Sequence, residues 1–438
     1  MKAAAGISPW HPFTQEALDP APLRIERGEG AYLYTSDGRK ILDAISSWWV
    51  NIHGHSHPRI AAAIAEQART LEHVIFAGFT HEPAEELSRR LLRVLPAGLE
   101  HVFFSDDGST AVEVALKMAL QYWRNVGQPG KTRFIALEHA YHGDTAGAMS
   151  VGADSGFVDA FGAMRFPVLR APSAYCYRCP VGKTRASCEI DCLEPLARLL
   201  EQHGNEVAAV IAEPLLQGAG GMIVHPVEFL RGLRELASQY GVLLIADEVL
   251  TGFGRCGRMF ACELAGISPD IICLSKGLTG GFLPMAATVA TRAIHESFCS
   301  PDRSRTFFHG HSYTANPLGC AAGIASLEVF ESEPVFERIA AIEKVHRERA
   351  PLLREHPAVG DVRTIGAVAA IELRDDDPGY FSSLKPFLYD FYLQRGVLLR
   401  PLGNVVYILP PYVVTAEEVH RVYDVIAESL DRLPSRPA

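Results

Sequence analysis

The chain has 438 residues, an apolar content of 48%, a charged content of 21% and a formal net charge of -10. Single hydrophobic cores stop growing below this length, so we expect two domains. The acidic balance argues against nucleic acid as a partner. No apolar run reaches membrane-spanning length and the N-terminus carries no signal-peptide pattern, so we expect a cytoplasmic protein without a membrane partner.

The nine cysteines are expected to be reduced thiols, because the chain has the length of an enzyme and no secretion signal. Four of them lie in one insertion that contains Pro and Gly. A Cys-x-x-Cys pair followed by two more thiols is compatible with a structural zinc knuckle. Alternatively, the second pair opens a helix over 193–202 and the thiols are packed within the loop, and we include no metal among the expected ligands. The four residues are Cys176, Cys179, Cys188 and Cys192.

The first sixty residues combine an aromatic arm with a hairpin. The arm segment 10–15 reads Trp-His-Pro-Phe-Thr-Gln and is too polar and proline-broken to be a core helix. Residues 30–34 and 41–43 alternate around the turn at 36–39, which is typical of a β-hairpin. The adjacent Trp48 and Trp49 follow. Neighbouring side chains of a strand face opposite sides, so at most one of the two is an ordinary core residue.

The middle of the chain alternates strands with segments of helix length. Buried strands are predicted from 102, 134, 207, 242 and 271. This alternation predicts an α/β fold with a mainly parallel, doubly wound sheet. A long helical region over 319–356, strands at 368–373, 397–399 and 405–409, and a helix at 416–433 follow. We expect residues 1–60 to form the arm and part of a small domain, 61–325 the large domain, and 326–438 the rest of a smaller α+β domain.

Two apolar runs carry an acid and a lysine to the ends of buried strands. Asp247 ends the first run and Lys276 follows the second. Ligands bind at that edge of an open α/β sheet. A carboxylate that keeps a pyridine nitrogen protonated and a lysine that forms a Schiff base suit pyridoxal phosphate. Taken singly, a helix-capping Asp and a solvated Lys are the ordinary interpretations.

Three further segments follow predicted strands. Gly108 and Ser109 stand in a turn before a helix, where free N–H groups and the helix dipole favour an anion. A plain N-cap is the alternative for this turn. Tyr141 follows the next strand and Glu213 the one after, and the alternatives for these two are loop packing and a loop carboxylate with local partners.

The stretch around Lys276 resembles the signature of the class III (ω-) aminotransferases. It contains Leu-Ile-Ala-Asp-Glu-Val at 244–249, Gly-Phe-Gly-Arg-Cys-Gly at 252–257, Pro-Asp at 269–270 and Leu-Ser-Lys-Gly-Leu at 274–278. The resemblance implies the type I fold of pyridoxal phosphate-dependent transferases and a transamination reaction. The roles that it implies are catalysis by Lys276 and Asp247, phosphate binding by Gly108 and Ser109, stacking on the pyridine ring by Tyr141, and an acid near the cofactor at Glu213.

The arm and the paired tryptophans narrow the resemblance to one branch of the family, which aminates 8-amino-7-oxononanoate to 7,8-diaminononanoate in biotin synthesis. The branch places Trp48 in an apolar slot for the substrate chain with Trp49 nearby, and Lys276 and Tyr141 also border the substrate. Its arm tyrosine corresponds here to Phe13, so a role that needs a hydroxyl is absent. Arg400 matches the arginine that binds the distal carboxylate, although an ordinary surface ion pair is the alternative.

The loop 307–317 matches the family loop that crosses a dimer interface. The resemblance implies a homodimer in which His311 and Ser312 contact the partner's cofactor phosphate and Gly310 lies next to the substrate. The amino donor stays open between S-adenosylmethionine and lysine. Two alternatives remain: an ornithine, γ-aminobutyrate or polyamine aminotransferase of the same class, or a non-catalytic binding protein on this scaffold.

Overall fold

The structure is a computed structural model that describes residues 9–19, 21–154, 156–376 and 378–433. Its strands form a seven-stranded, a four-stranded, a three-stranded and a two-stranded sheet. In chain order the strands are β1 (Ile25–Glu29), β2 (Tyr32–Thr35), β3 (Lys40–Asp43), β4 (Leu99–Ser105), β5 (Arg133–Leu137), β6 (Leu169–Ala171), β7 (Val207–Ala212), β8 (Leu216–Gln217), β9 (Ile223–Val224), β10 (Leu243–Asp247), β11 (Ile271–Leu274), β12 (Ala286–Thr291), β13 (Val359–Ile365), β14 (Val368–Leu373), β15 (Val397–Leu398) and β16 (Val405–Ile408).

The helices connect the strands and cover both faces of the largest sheet. Several begin at residues whose side chains accept the first free N–H groups, which stabilises the helix start. In chain order the helices are α1 (Ser46–Trp49), α2 (Pro58–Thr70), α3 (Glu82–Val94), α4 (Gly108–Asn125), α5 (Ala146–Val151), α6 (Glu194–His203), α7 (Val227–Gln239), α8 (Ala261–Ala265), α9 (Arg292–Phe298), α10 (Pro317–Ser332), α11 (Val335–Leu353), α12 (Leu384–Gln394) and α13 (Ala416–Leu430).

The seven-stranded sheet has the order β4-β12-β11-β10-β7-β5-β6. The pairs from β11 to β6 are parallel, whereas β12 runs antiparallel to both of its neighbours. Successive residues of β5 enter different cores: Phe134 and Ala136 pack on one face, and Ile135 and Leu137 on the other. A sheet buried on both faces accounts for the continuous apolar runs in the sequence. The predicted α/β class with a mainly parallel sheet is confirmed.

The two ends of the chain share a second sheet. Its order is β1-β2-β3-β15, and β3 near the N-terminus pairs in parallel with β15 near the C-terminus. The antiparallel sheet β13-β14-β16 completes the C-terminal part, where α11 contacts β13 and α13. Segments from both chain ends therefore build one smaller α+β region, as predicted, while its exact boundaries stay a prediction.

Several elements differ from the expectations. The residues around the paired tryptophans form α1 and a loop instead of a strand, with non-helical backbone angles at Ser47 and Trp48. The long helical region after 317 is two helices, α10 and α11, separated by a break at Glu333 and Pro334. The elements that were not predicted include the strands β1, β6, β8, β9, β12 and β13 and the helix α12. Among the described residues, no helix is long and apolar enough to cross a membrane.

Candidate active site

The carboxyl ends of the parallel strands open into a cavity of about 700 Å³. Asp247 is the last residue of β10, Glu213 follows β7, and Lys276 comes two residues after β11. Parallel strands place such residues at one edge of the sheet. The predicted site residues that line this cavity are Trp49, Gly108, Ser109, Tyr141, Glu213, Asp247 and Lys276.

Asp247 is held in one orientation by two donors. The Val249 N–H donates to Oδ1 at 3.1 Å, and His142 Nδ1 lies 2.6 Å from Oδ2. A carboxylate accepts hydrogen bonds, so the proton of this contact lies on His142 Nδ1. The other ring nitrogen, Nε2, is buried and has no partner among the described residues. His142 therefore fixes the carboxylate that faces the cavity.

Lys276 opens a short 3-10 turn and has a left-handed backbone with φ of 43°. Its Nζ lies 4.8 Å from the centre of the Trp49 ring. Burial lowers the pKa of Lys276 to about 8, although the negative charges of Asp247 and Glu213 oppose this shift. A large fraction of the amine is neutral near that pH, as a nucleophile or a base requires.

The turn before α4 is the cradle that was predicted to bind an anion. Asp107 caps the helix by accepting the Thr110 N–H at 2.9 Å, and this leaves the Gly108 and Ser109 backbone at the open helix start. The Ser109 hydroxyl donates to Thr145 Oγ1 at 3.0 Å and accepts the Thr145 N–H at 3.0 Å. Two segments that are distant in sequence thus close around the cradle.

Glu213 and Tyr141 are joined through the backbone. Glu213 Oε1 accepts the Tyr141 N–H at 3.0 Å, and Oε2 accepts the Gly218 N–H at 2.9 Å. These N–H donors favour the carboxylate, but burial prevails and, with the negative charge of Asp247, raises the pKa of Glu213 to about 7. Burial and the neighbouring Asp144 raise the pKa of the Tyr141 hydroxyl. Glu213 thus has local backbone partners and also borders the cavity, and its role as an acid near the cofactor stays a prediction.

The paired tryptophans have different environments. Trp49 is 5% exposed, lines the cavity and donates its indole N–H to Tyr407 Oη at 3.0 Å. Trp48 is 44% exposed, and its ring lies 5.5 Å from the Phe13 ring. The expectation that only one of them is an ordinary core residue agrees with this arrangement. The guanidinium carbon of Arg400 lies 5.0 Å from the centre of the Trp48 ring.

The loop 307–317, which was predicted to cross a dimer interface, does not line the cavity of its own chain. His311 Nδ1 is 3.3 Å from Asp106 Oδ2, and His311 Nε2 is 3.1 Å from His309 Nε2. Gly310 and Ser312 are exposed. Their contact with a partner's cofactor stays a prediction.

The four clustered cysteines surround a second, small cavity of about 20 Å³. All four are free thiols, and the Lys183 N–H donates to Cys179 Sγ at 3.4 Å. In the described parts of the chain, no group of three or more His, Cys, Asp or Glu side chains is arranged to hold a metal ion.

Comparison with known proteins decides the family. The sequence profile of the family described as Aminotransferase class-III matches residues 13–430. The chain belongs to the class-III aminotransferases. It is 52% identical over 427 residues to a Synechococcus elongatus protein named adenosylmethionine-8-amino-7-oxononanoate aminotransferase, which covers 97% of this chain and 98% of the relative.

Solved structures of aminotransferases share the fold. The crystal structure of adenosylmethionine-8-amino-7-oxononanoate aminotransferase from Methanocaldococcus jannaschii has a TM-score of 0.90 at 39% identity and covers 97% of each chain. An amine transaminase from an uncultivated Pseudomonas species, in its PLP-bound form, has a TM-score of 0.91 at 34% identity and covers 98% of this chain and 100% of the other. The predicted enzyme class, type I fold and pyridoxal phosphate dependence are thereby confirmed.

The cavity of this class-III aminotransferase fits its cofactor. Asp247 would supply the carboxylate for a protonated ring nitrogen, Lys276 the amine, and the start of α4 the phosphate cradle. A Cβ at Gly143, where φ is 118°, would collide with Ser109. Sequence reasoning missed this close approach, together with the lining residues Val50, Leu283, Pro284 and Met285. Small or apolar residues without a chemical role give no signal in a single sequence.

Proposed function

We propose that this class-III aminotransferase transfers an amino group to 8-amino-7-oxononanoate and forms 7,8-diaminononanoate in biotin synthesis. The observation that carries the proposal is the contact of Arg400 with the Trp48 ring, which lies beside Phe13 and next in sequence to Trp49 of the cavity lining. An apolar slot with a guanidinium suits an alkyl chain that ends in a carboxylate. The names of relatives at 52% and 39% identity support the same substrate.

The chain's own residues divide the work. When bound, pyridoxal phosphate accepts the amino group from the donor and delocalises charge in its pyridine ring. Lys276 carries the cofactor and, once its Nζ is free, moves a proton between substrate and cofactor carbon atoms. Asp247, oriented by His142, keeps the ring nitrogen protonated. Tyr141 stacks on the ring and the Gly108–Ser109 turn binds the phosphate.

The substrate is positioned from its far end. Arg400 binds the distal carboxylate, the Trp48 ring and Phe13 line the alkyl chain, and Trp49 lies beside Lys276. Binding energy at the carboxylate thus places the ketone within reach of the amine. The amino group arrives from S-adenosylmethionine or lysine, and the donor leaves as a carbonyl compound.

The test uses the purified holoenzyme and its visible absorption band. S-adenosylmethionine and lysine are added separately, and 8-amino-7-oxononanoate follows. We expect one donor to bleach the band and the oxononanoate to restore it. Restoration only by ornithine-, γ-aminobutyrate- or polyamine-derived carbonyl compounds would assign another substrate, and a colourless protein that takes up no cofactor would support the non-catalytic alternative.

Arg400→Met tests the recognition of the carboxylate. The KM for the oxononanoate should rise roughly 100-fold, because a charge-assisted bidentate contact is lost. The methyl ester of the oxononanoate should have the same KM in both enzymes. Arg395→Met is the matched control, since Arg395 pairs with Glu428 and does not face Trp48. If Arg400→Met still prefers the free acid to the methyl ester as strongly as the wild-type enzyme does, this role is contradicted.

We further propose a cytoplasmic homodimer with composite active sites. All nine cysteines are unpaired, which suits a reducing compartment. The loop that carries Gly310, His311 and Ser312 is exposed together with Phe308 and Tyr313, and such apolar exposure is typical of an interface.

Subunit mixing tests the composite site. Lys276→Ala and Ser312→Asp should each be inactive, while hybrids of the two should regain activity, because one site of each hybrid dimer keeps both residues. Hybrids that stay inactive would place Ser312 in its own subunit's site.

A further inference from the structure

The loop 307–317 is held along α4, the helix that follows the phosphate cradle. Gln121 of α4 donates from Nε2 to two backbone carbonyls directly before the loop, at 3.0 Å and 3.1 Å. One turn earlier on α4, Lys117 Nζ lies 2.8 Å from His309 Nδ1. Residues that are four apart lie on the same face of a helix, so α4 presents both side chains to the loop.

The contacts continue from the loop to the cradle through a second histidine. His309 Nε2 lies 3.1 Å from His311 Nε2, and His311 Nδ1 lies 3.3 Å from Asp106 Oδ2. Asp106 directly precedes the cap of α4, and its N–H donates to Thr110 Oγ1 at 3.2 Å. The side chains of Lys117, His309, His311 and Asp106, which we call the polar network, therefore reach from the middle of α4 to the cradle.

The protons of the polar network can be placed in one way when both imidazoles are neutral. An ammonium only donates, so His309 Nδ1 accepts from Lys117 and the proton of His309 lies on Nε2. That N–H donates to His311 Nε2, so the proton of His311 lies on Nδ1, the nitrogen nearest to Asp106. An additional proton on either accepting nitrogen would place two donors face to face and break the network.

The polar network suits a role in cofactor binding that acts through the loop. Lys117, His309 and Asp106 do not line the cavity. We propose that these three are positioning residues, which hold the loop 307–317 against the cradle and so orient Ser312 for binding the cofactor phosphate. This inference rests on the proposed function for the subunit to which that phosphate belongs.

The polar network should depend on pH. Burial lowers the pKa of His309, the positive charge of Lys117 and the neighbouring His311 lower it further, and Glu113 opposes them. The charged groups that face the two imidazoles are Lys117 and Glu113 of α4 and Asp106 of the preceding turn. Because the pKa of His309 lies below its ordinary value of 6.5, the network is complete above about pH 6.5 and is lost as the pH falls further.

Three variants of the full-length protein separate hydrogen bonding from charge. His309→Phe keeps a ring beside Phe103, whose ring centre is 6.2 Å away, and removes both nitrogens. His309→Gln keeps one acceptor and one donor, and Lys117→Met removes the ammonium. His295→Phe is the matched control, because His295 also lies against a second histidine, His101, at 3.7 Å between ring centres, and does not line the cavity.

The readout is the Kd of pyridoxal phosphate from equilibrium dialysis between about pH 5 and 8, the range in which histidine titrates, with circular dichroism as the check of folding. At about pH 8 the Kd should rise roughly tenfold in His309→Phe, as for loss of one charge-assisted hydrogen bond, and stay within roughly twofold of wild type in His309→Gln. In Lys117→Met the pH below which the Kd rises should increase by roughly one unit, because loss of the ammonium raises the pKa of His309. His295→Phe should match the wild type at every pH.

A wild-type Kd in His309→Phe at neutral or alkaline pH would overturn the positioning role, and so would an equal loss of affinity in His309→Gln. A wild-type pH dependence in Lys117→Met would overturn the protonation of the polar network, and if His309→Phe does not fold, this variant decides alone. The Kd needs no substrate. A wild-type protein that binds the cofactor but ignores the oxononanoate, or that sediments as a monomer, therefore refutes the proposed function, while the Kd still tests His309.

Discussion

Replacing Asp43 by a neutral residue tests which contacts fix the loop that contains Trp48 and Trp49, which we call the tryptophan loop. It is fully buried at the end of β3. Oδ1 accepts the Ile45 N–H at 3.1 Å, and Oδ2 accepts the Ser47 N–H at 2.6 Å and the Ser47 hydroxyl at 3.1 Å. His55 Nε2 lies 3.0 Å from the same Oδ2. The carboxylate is thus surrounded by donors.

The loop that these donors belong to is strained. Ser46, Ser47 and Trp49 have φ values of 53°, 58° and 67°. A non-glycine residue in the left-handed region costs about 1 to 2 kcal/mol. The loop keeps this conformation only while its surroundings hold it there. Weakening the carboxylate should therefore let Trp48 and Trp49 move.

The cost of Asp43→Asn follows from its hydrogen bonds. In its best orientation the amide oxygen keeps the three contacts of Oδ2, and the amide nitrogen then faces the Ile45 N–H. A buried donor without an acceptor costs about 1 to 3 kcal/mol, and the remaining bonds lose their charge assistance. We expect a loss of roughly 3 kcal/mol in the free energy of unfolding. In a chain of this length that lowers the unfolding temperature by about 3 °C.

The assay measures the unfolding temperature and the KM for the oxononanoate. The KM should rise because Trp48, which lines the alkyl chain of the substrate, moves. Asp37→Asn is the control: Asp37 contacts Thr35 and Arg39 in the exposed hairpin turn and should change neither quantity. If Asp43→Asn unfolds at the wild-type temperature with the wild-type KM, the carboxylate does not hold this loop.

Three further outcomes are expected. Gly143→Ala should weaken cofactor binding at least tenfold, because its Cβ would displace Ser109, whereas Gly130→Ala has open space and should retain the cofactor in equilibrium dialysis. In stopped-flow traces, the rate of the half-reaction that aminates the ketone should rise as the pH increases through about 8, because Lys276 becomes neutral there. Burial raises the pKa of Glu213 from 4.5 to about 7, so its contribution to stability is complete below about pH 4.5 and is lost as the pH rises through about 7. Glu213→Gln should flatten that decline in thermal unfolding, and an unchanged slope would contradict it.

Asp247 and Lys276 could be predicted because the residues next to them in the sequence indicate their positions. A fully apolar β-branched run reads as a strand buried on both faces, and a polar residue at its end then lies at the sheet edge. Asp247 and Lys276 lie there, and so does the Gly108–Ser109 cradle. The strand β12 escaped prediction because Ala286–Thr291 contains three alanines, and alanine is depleted in strands.

The tryptophan loop could not be predicted because its conformation depends on residues far along the chain. Trp49 is fixed by Tyr407 and Arg255, about 358 and 206 positions away. Alternation assigned different environments to Trp48 and Trp49, but for the wrong element, since the segment is α1 and not a strand. Left-handed angles at non-glycine residues are set by tertiary hydrogen bonds, and no pattern in the local sequence announces them.

Asp247 and Glu213 occupy similar positions in the sequence pattern, but their surroundings in the structure differ and suit different roles. Asp247 and Glu213 both end buried parallel strands. Asp247 accepts the imidazole N–H of His142 on Oδ2 and the Val249 N–H on Oδ1, and it borders the cavity, so a protonated ring nitrogen would lie beside a carboxylate that is already oriented. Glu213 spends both oxygens on backbone N–H groups, and burial raises its pKa to about 7, so it can carry a proton when a second negative charge would repel Asp247. We therefore expect Glu213 to hold Tyr141 in place and Asp247 to act on the ring.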